Sequence, residues 1–140
     1  MSQTQKKTKR ASAPVRARAK TPKRKPEHAF PRVRILIGEG MVLGPGKVDL
    51  LEAIGRTGSI SAAGREMGMS YRRAWLLVDA LNHMFRHALV IASPGGAHGG
   101  GAKLTDYGRD VAAAYRRVEA RARTAMREEM APFHVRVDAD

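Results

Sequence analysis

Ser70, Tyr71, Arg72 and Arg73 stand side by side at the start of a helical pattern, directly after a Gly68-Met69 turn. Residues of these types at that place suit a polyanion. A helix N-terminus offers free backbone N–H groups and the positive end of the helix dipole to a phosphate. Arg72 and Arg73 can reach a guanine edge or the phosphate backbone, and Tyr71 can stack or donate from the same end. A second group of donors lies at the Gly-rich run 94–101, where His98 and the following Lys103 add side-chain N–H groups. Glycines there let the backbone itself approach a phosphate closely.

Other chemistries fit less well. A phosphate-binding nucleotide loop needs Gly-Lys followed by Ser or Thr at the opening of a helix. Here Gly101-Ala102-Lys103-Leu104 runs into a strand pattern. His83 and His87 stand at i, i+4 and could hold a metal if their helix continued that far, but no third ligand is near, and they read as surface histidines. Ser59, Ser61 and Ser70 read as caps and turn residues, and no His–Asp pair activates a nucleophile. Glu52, Glu66, Asp79 and Asp110 fall on helix faces and read as solvated charges. No enzyme activity, cofactor or metal is expected.

The elements that must position these residues follow from periodicity. Arg32 to Ile37 alternates basic and apolar and then turns apolar, which predicts a strand, with a turn at 38–40 and a return over Met41-Val42-Leu43. Val48, Leu50, Leu51 and Ile54 predict a helix over Lys47–Arg56, with Pro45 at its start and Gly58 as its left-handed cap. Ser59 or Ser61 caps a short helix from Ala62 to Met67, ended by Gly68. Ser70 caps a third helix to about Asn82, its inward stripe formed by Ala74, Val78 and Leu81, with Leu77 partly inward. Trp75, on the same helical face as Tyr71, could meet the DNA sugar-phosphate edge or anchor the core beside the second helix, and the core is the expectation. Leu89-Val90-Ile91 and Ala102-Lys103-Leu104 are strands around a glycine-rich tip. Thr105 caps a long last helix, Asp106 to Met130, which Pro132 ends, and Phe133, Val135 and Val137 form a strand-like stub in the tail. The expected fold is mainly α with small β: a winged helix-turn-helix with a long C-terminal dimerisation helix. Val111, Ala114, Val118 and Ala122 lie on the apolar stripe of that helix, with Tyr107 and Ala125, and are the candidate dimer contacts.

Charge divides the chain. The 140 residues hold 26 Lys or Arg against 13 Asp or Glu, a net charge of +13. Residues 1–26 carry ten of the cations and no acid, so the folded body is only mildly basic. Such a segment suits nucleic acid and lacks the apolar bulk to bury a core. It also lacks an apolar face and is interrupted by Pro14, Pro22 and Pro26, which speaks against an organelle transit peptide. The expected organisation is a disordered basic arm at 1–29, the winged domain at 30–131 and a tail at 132–140. The chain has no Cys, which removes disulfides and thiolate metal sites and suits a reducing compartment. No apolar run approaches the roughly 18 residues of a membrane span.

The runs SISAA, MSYRRAW and GGAHGGGAKLT, set within Gly44 to Thr105, resemble the N-terminal DNA-binding domain of the ModE family of molybdate-responsive transcription regulators. More distantly the pattern is similar to the LysR-type winged helix. The resemblance implies a homodimer held by the first strands and the last helix, with DNA contacts at Ser59, Ser61, Ser70, Tyr71, Arg72 and Arg73 and with His98 at the wing. Full members of the family continue into oxyanion-binding modules. This sequence ends about ten residues after its last helix, so molybdate sensing is not expected of it. The basic arm and the Ile91-Ala92-Ser93-Pro94 run into the wing depart from the family pattern. The function expected is a cytoplasmic, nucleoid-associated bacterial regulator that binds double-stranded DNA at chosen sites, the arm adding salt-sensitive affinity. The alternatives are an architectural DNA-binding protein of low specificity, and a protein-interaction module that has lost DNA binding.

Overall fold

Pro45 and Gly58 bracket the first helix, α1 (Pro45–Thr57). Pro45 lacks an N–H where a helix has no use for one. Gly58 adopts a left-handed φ of 72° and returns its N–H to the Ile54 carbonyl at 2.8 Å. The structure is a computed structural model and describes residues 29–94 and 100–133. The arm at 1–28 lies outside the described residues. Ala29, assigned to the arm from sequence, makes a single β-bridge.

Before α1, β1 (Ile35–Ile37) and β2 (Met41–Leu43) form an antiparallel hairpin with Ile35 opposite Leu43. The strand expected from Arg32 is shorter, because Gly44-Pro45 turns β2 into α1 and leaves residues 32–34 without a ladder partner. Next come α2 (Ile60–Glu66) and α3 (Tyr71–Met84). Helix α2 starts two residues earlier than expected because Ser59, not Ser61, is its cap, accepting from the Ala62 N–H at 3.0 Å. The wing is β3 (Val90–Pro94) against β4 (Gly100–Leu104). Pro94, Gly100 and Gly101, read as tip residues, belong to its ladder. The tip at 95–99, His98 included, lies outside the described residues.

Thr105 then caps α4 (Asp106–Met130), accepting from the Gly108 N–H at 2.9 Å. A 3-10 turn, Ala131–Phe133, follows α4 and takes Phe133 out of the expected stub. Val135 and Val137 lie outside the described residues. Among the described residues no helix is long and apolar enough to cross a membrane.

The core sits where α1, α3, the wing base and the first half of α4 meet. Val48, Leu50, Leu51, Ile54, Leu81 and Leu89 are its largest fully buried aliphatics, and Tyr115 of α4 joins them. Ala74, Val78 and Leu81 face inward from α3, as their spacing predicts. On α4 the buried face is Gly108, Ala112 and Tyr115, one step round from the stripe read in sequence. A β-carbon on Gly108 would lie 2.2 Å from the Leu89 carbonyl oxygen, so this contact admits no side chain. No residue of α4 after Tyr115 is buried, and the rest of the 25-residue helix runs beyond the core.

Candidate nucleic-acid interface

The turn between α2 and α3 is tight because two glycines permit it. A β-carbon on Gly64 would approach that of Ala74 to 3.0 Å, so the helices pack backbone-close. Gly68 supplies the positive φ of 73° that reverses the chain. Ser70 caps α3 by accepting from the Arg73 N–H at 3.1 Å. The consequence is an open helix end: Tyr71, Arg72 and Arg73 are exposed, and their side chains make no hydrogen bond or ion pair with a described residue.

Trp75 is not the core anchor expected from sequence. Ala74 and Val78 occupy the inward positions, and Trp75, 47% exposed, stands one turn from Tyr71 on the outer face. The two rings line a cleft of about 740 Å³ between α3 and the wing, into which Ser59, Ser61, Asp79 and Ile91 also open. Ser59 and Ser61 thus share a cleft with Tyr71. Each hydroxyl oxygen already accepts a bond, Ser61 from Arg65 Nη1 at 2.9 Å and Ser59 from the backbone. Ser70, Arg72 and Arg73 lie on the other flank of α3, in a shallower depression with Leu76 and Leu77. Lys103 is exposed on β4 opposite Ile91, and it does not itself line the cleft.

The wing is fixed by a residue that sequence reading passed over. Asn82, on the last turn of α3, donates from Nδ2 to the Val90 carbonyl at 3.0 Å and accepts from the N–H groups of Leu89 and Val90 at 2.8 and 3.1 Å. The Ala102 N–H reaches the Gly58 carbonyl at 3.0 Å, which ties β4 to the turn before α2. Thr105 Oγ1 donates to the Ala88 carbonyl at 2.8 Å. An Asn near the end of a helical pattern, shortly before a strand, was the available signal.

Two carboxylates expected to be solvated are paired. Arg116 of α4 binds Glu52 and Asp49 of α1 and Glu119 of its own helix. The hydrogen bond from Arg116 holds the Glu52 carboxyl below its ordinary value. Glu66 is lowered in the same way by Arg56, which forks onto it across α1 and α2. The histidine pair does not form, because α3 ends at Met84 and His87 instead meets the Tyr107 ring edge-on at 5.0 Å.

Three helices followed by an antiparallel hairpin, with an open cationic end on the third helix, define the winged helix-turn-helix class of DNA-binding domain. Residues 46–109 match the family described as bacterial regulatory helix-turn-helix protein, lysR family. The molybdenum-pterin-binding protein MopB of Rhodobacter capsulatus is 51% identical over 86 residues, covering 61% of this chain and 32% of its own length. The molybdenum transport protein ModE of Azotobacter vinelandii is 41% identical over 87 residues, 62% of this chain and 32% of that protein. The DNA-binding transcriptional dual regulator ModE of Escherichia coli K12 is 42% identical over 65 residues, 46% of this chain and 25% of that protein. The solved structure of a CbnR DNA-binding domain in complex with DNA has a TM-score of 0.47 at 22% identity, covering 62% of this chain and 95% of that one. The resemblance read from residues 44–105 is borne out: residues 46–109 match the lysR-type helix-turn-helix, and ModE and Mop proteins are similar to this chain over 65 to 87 residues. It spans about a third or less of the length of those curated relatives, 32%, 32% and 25%.

Proposed function

We propose that this chain is a sequence-specific transcriptional regulator that binds double-stranded DNA and has no catalytic role. The observation that carries the reading is the open end of α3, where Tyr71, Arg72 and Arg73 stand exposed with no hydrogen-bond or ion-pair partner among the described residues. Helix α3 enters the major groove, Ser59, Ser61 and Ser70 border it, and Lys103 and His98 reach the backbone from the wing. The arm at 1–29 adds nonspecific affinity to the winged domain at 30–131. Two copies pair through α4, whose second half extends past the core and leaves Val118 41% exposed. Such a regulator works in the bacterial cytoplasm, on the nucleoid. Molybdate binding stays outside the proposal, because the matched residues make up only 25–32% of the relatives' length.

Selection from a random duplex library, followed by affinity measurements on the selected site and a scrambled one, tests the reading. A regulator should prefer its site by about a thousandfold or more. A ratio near one would favour an architectural protein, the role that the +13 net charge also suits. No binding to either duplex would leave a protein-interaction module.

A further inference from the structure

Arg32, Arg34, Lys47 and Arg73 come from three separate parts of the fold and line one groove of about 290 Å³. Among the described residues no carboxylate lines it, and none of the four side chains makes a hydrogen bond or ion pair. The convergence is built by the fold. Tyr115 on α4 donates its hydroxyl to the Val33 carbonyl at 2.6 Å, which fixes the chain just before β1. Val33 is thereby half-buried, and the alternation of an extended chain turns Arg32 and Arg34 outward. The stem of Arg34 passes over Gly44, its Cγ 3.8 Å from where a β-carbon would sit. Gly44 is the N-cap of α1 and offers no side-chain bond, and the first turn of α1 holds no acid. The positive end of a 13-residue helix therefore faces the same groove as the four cations.

This arrangement lacks a negative charge, and its position says which one. Arg73 belongs both to this groove and to the open end of α3. Tyr71 and Trp75 face the wing cleft, whereas Arg73 and Leu77 face this groove, so it flanks α3 on the side away from the wing. We propose that the groove binds backbone phosphate of the DNA next to the bases that α3 reads, with Arg32, Arg34 and Lys47 as contacts beyond the helix-turn-helix. The inference rests on the DNA-binding reading above. It adds a second backbone clamp, so that α3 lies between the wing and the β1–α1 groove.

The full chain carrying Arg32→Ala, Arg34→Ala and Lys47→Ala is titrated with the selected and the scrambled duplex between about 50 and 300 mM salt. Each neutralised phosphate contributes about 0.9 to the slope of log affinity against log salt, so the slope should become shallower by about two to three. The affinity loss should be alike on both duplexes, leaving site preference unchanged. The Arg32→Lys, Arg34→Lys double variant should keep the wild-type slope. If the triple variant fails a circular-dichroism check of folding, Lys47→Gln alone should still flatten the slope by about one. Folded variants with the wild-type slope and affinity would overturn the groove and leave the DNA-binding reading intact. A wild-type chain that binds no duplex would remove both. Micromolar binding of inorganic phosphate by the free wild-type chain, lost in the triple variant, would assign the groove to a small oxyanion instead.

Discussion

Arg116 on α4 forks onto Glu52 on α1, its Nε donating to Oε2 at 3.0 Å and its Nη2 to Oε1 at 2.7 Å. The pair fastens α4 to α1 at the point where α4 leaves the core, so it sets the direction in which the free half of the helix points. Glu52 has its pKa lowered from 4.5 by the bond to Arg116. A carboxylate lowered in the folded state contributes stability that is present above its unfolded pKa and lost as pH falls through the folded one. Melting temperature should therefore drop as pH falls below about 4.5. Glu52→Gln should flatten that drop and cost about 1 kcal/mol or less at neutral pH, because both side chains are partly exposed. Thermal melts of both proteins across the acid range decide it, and identical pH slopes would refute the linkage.

Gly108 gives a prediction whose sign is unusual. Gly108 stands in the first turn of α4, and replacing a helical glycine by alanine ordinarily stabilises, by up to about 1 kcal/mol in a helix interior. Here the added methyl would fall 2.2 Å from the Leu89 carbonyl oxygen, at the junction of α4 and the wing. Gly108→Ala should destabilise by about 1–3 kcal/mol through overpacking. Urea denaturation that shows unchanged or higher stability would mean that α4 does not seat against the wing as described.

The helices and the wing were legible because each has local punctuation: Pro45, Gly58, Ser70 and Thr105 act within a few residues of their own position. Three other features depended on packing between distant segments. Trp75 has the composition of a core residue, yet the smaller Ala74 and Val78 hold the inward positions of α3. The stripe on α4 was offset because its inward face is set by Gly108, which periodicity counts as a gap, and by Tyr115, whose hydroxyl finds a carbonyl 82 residues away. The pairing of Glu52 with Arg116 spans 64 residues, and no local pattern announces it.

Asn82 should control the wing. Its side chain satisfies the N–H groups of Leu89 and Val90 and the Val90 carbonyl. Asn82→Ala leaves partly buried polar groups without their partner, at about 1–3 kcal/mol. The loosened wing should show faster amide exchange at Leu89 and Val90 and weaker binding to all duplexes alike. Wild-type exchange rates in the variant would show that the ladder alone holds the wing base.

Trp75 is the only tryptophan in the chain and lies 47% exposed beside Tyr71. Its emission should change on binding DNA and saturate at the stoichiometry of the complex. Arg72→Ala or Arg73→Ala should weaken binding to the selected site by about 1–3 kcal/mol if the residue reads a base. A phosphate contact would instead weaken both duplexes equally. Unaltered affinity in both variants, with Trp75 emission indifferent to DNA, would remove α3 from the interface.

Val118 tests the proposed pairing of two chains. Helix α4 is 25 residues long, and burial by its own core ends at Tyr115. Val118 is 41% exposed, and Ala122 lies half-buried one turn further along. Val111 and Ala114, placed with them from sequence, lie half-buried where α4 still lies on the body. The pairing seam should therefore centre on Val118 and Ala122, with the earlier two at its margin. A seam there would let two α3 helices meet DNA about 34 Å apart, or at a multiple of one helical turn. Val118→Glu would place an unpaired charge in the seam, a cost of several kcal/mol. Sedimentation should show a wild-type dimer and a monomeric variant, and affinity for a two-fold site should fall with dissociation. The variant's melting temperature measured below the dimer dissociation concentration should match the wild type's, because Val118 lies outside the core. A wild-type monomer at tens of micromolar, or a dimeric variant with full affinity, would mean that α4 does not pair through this face.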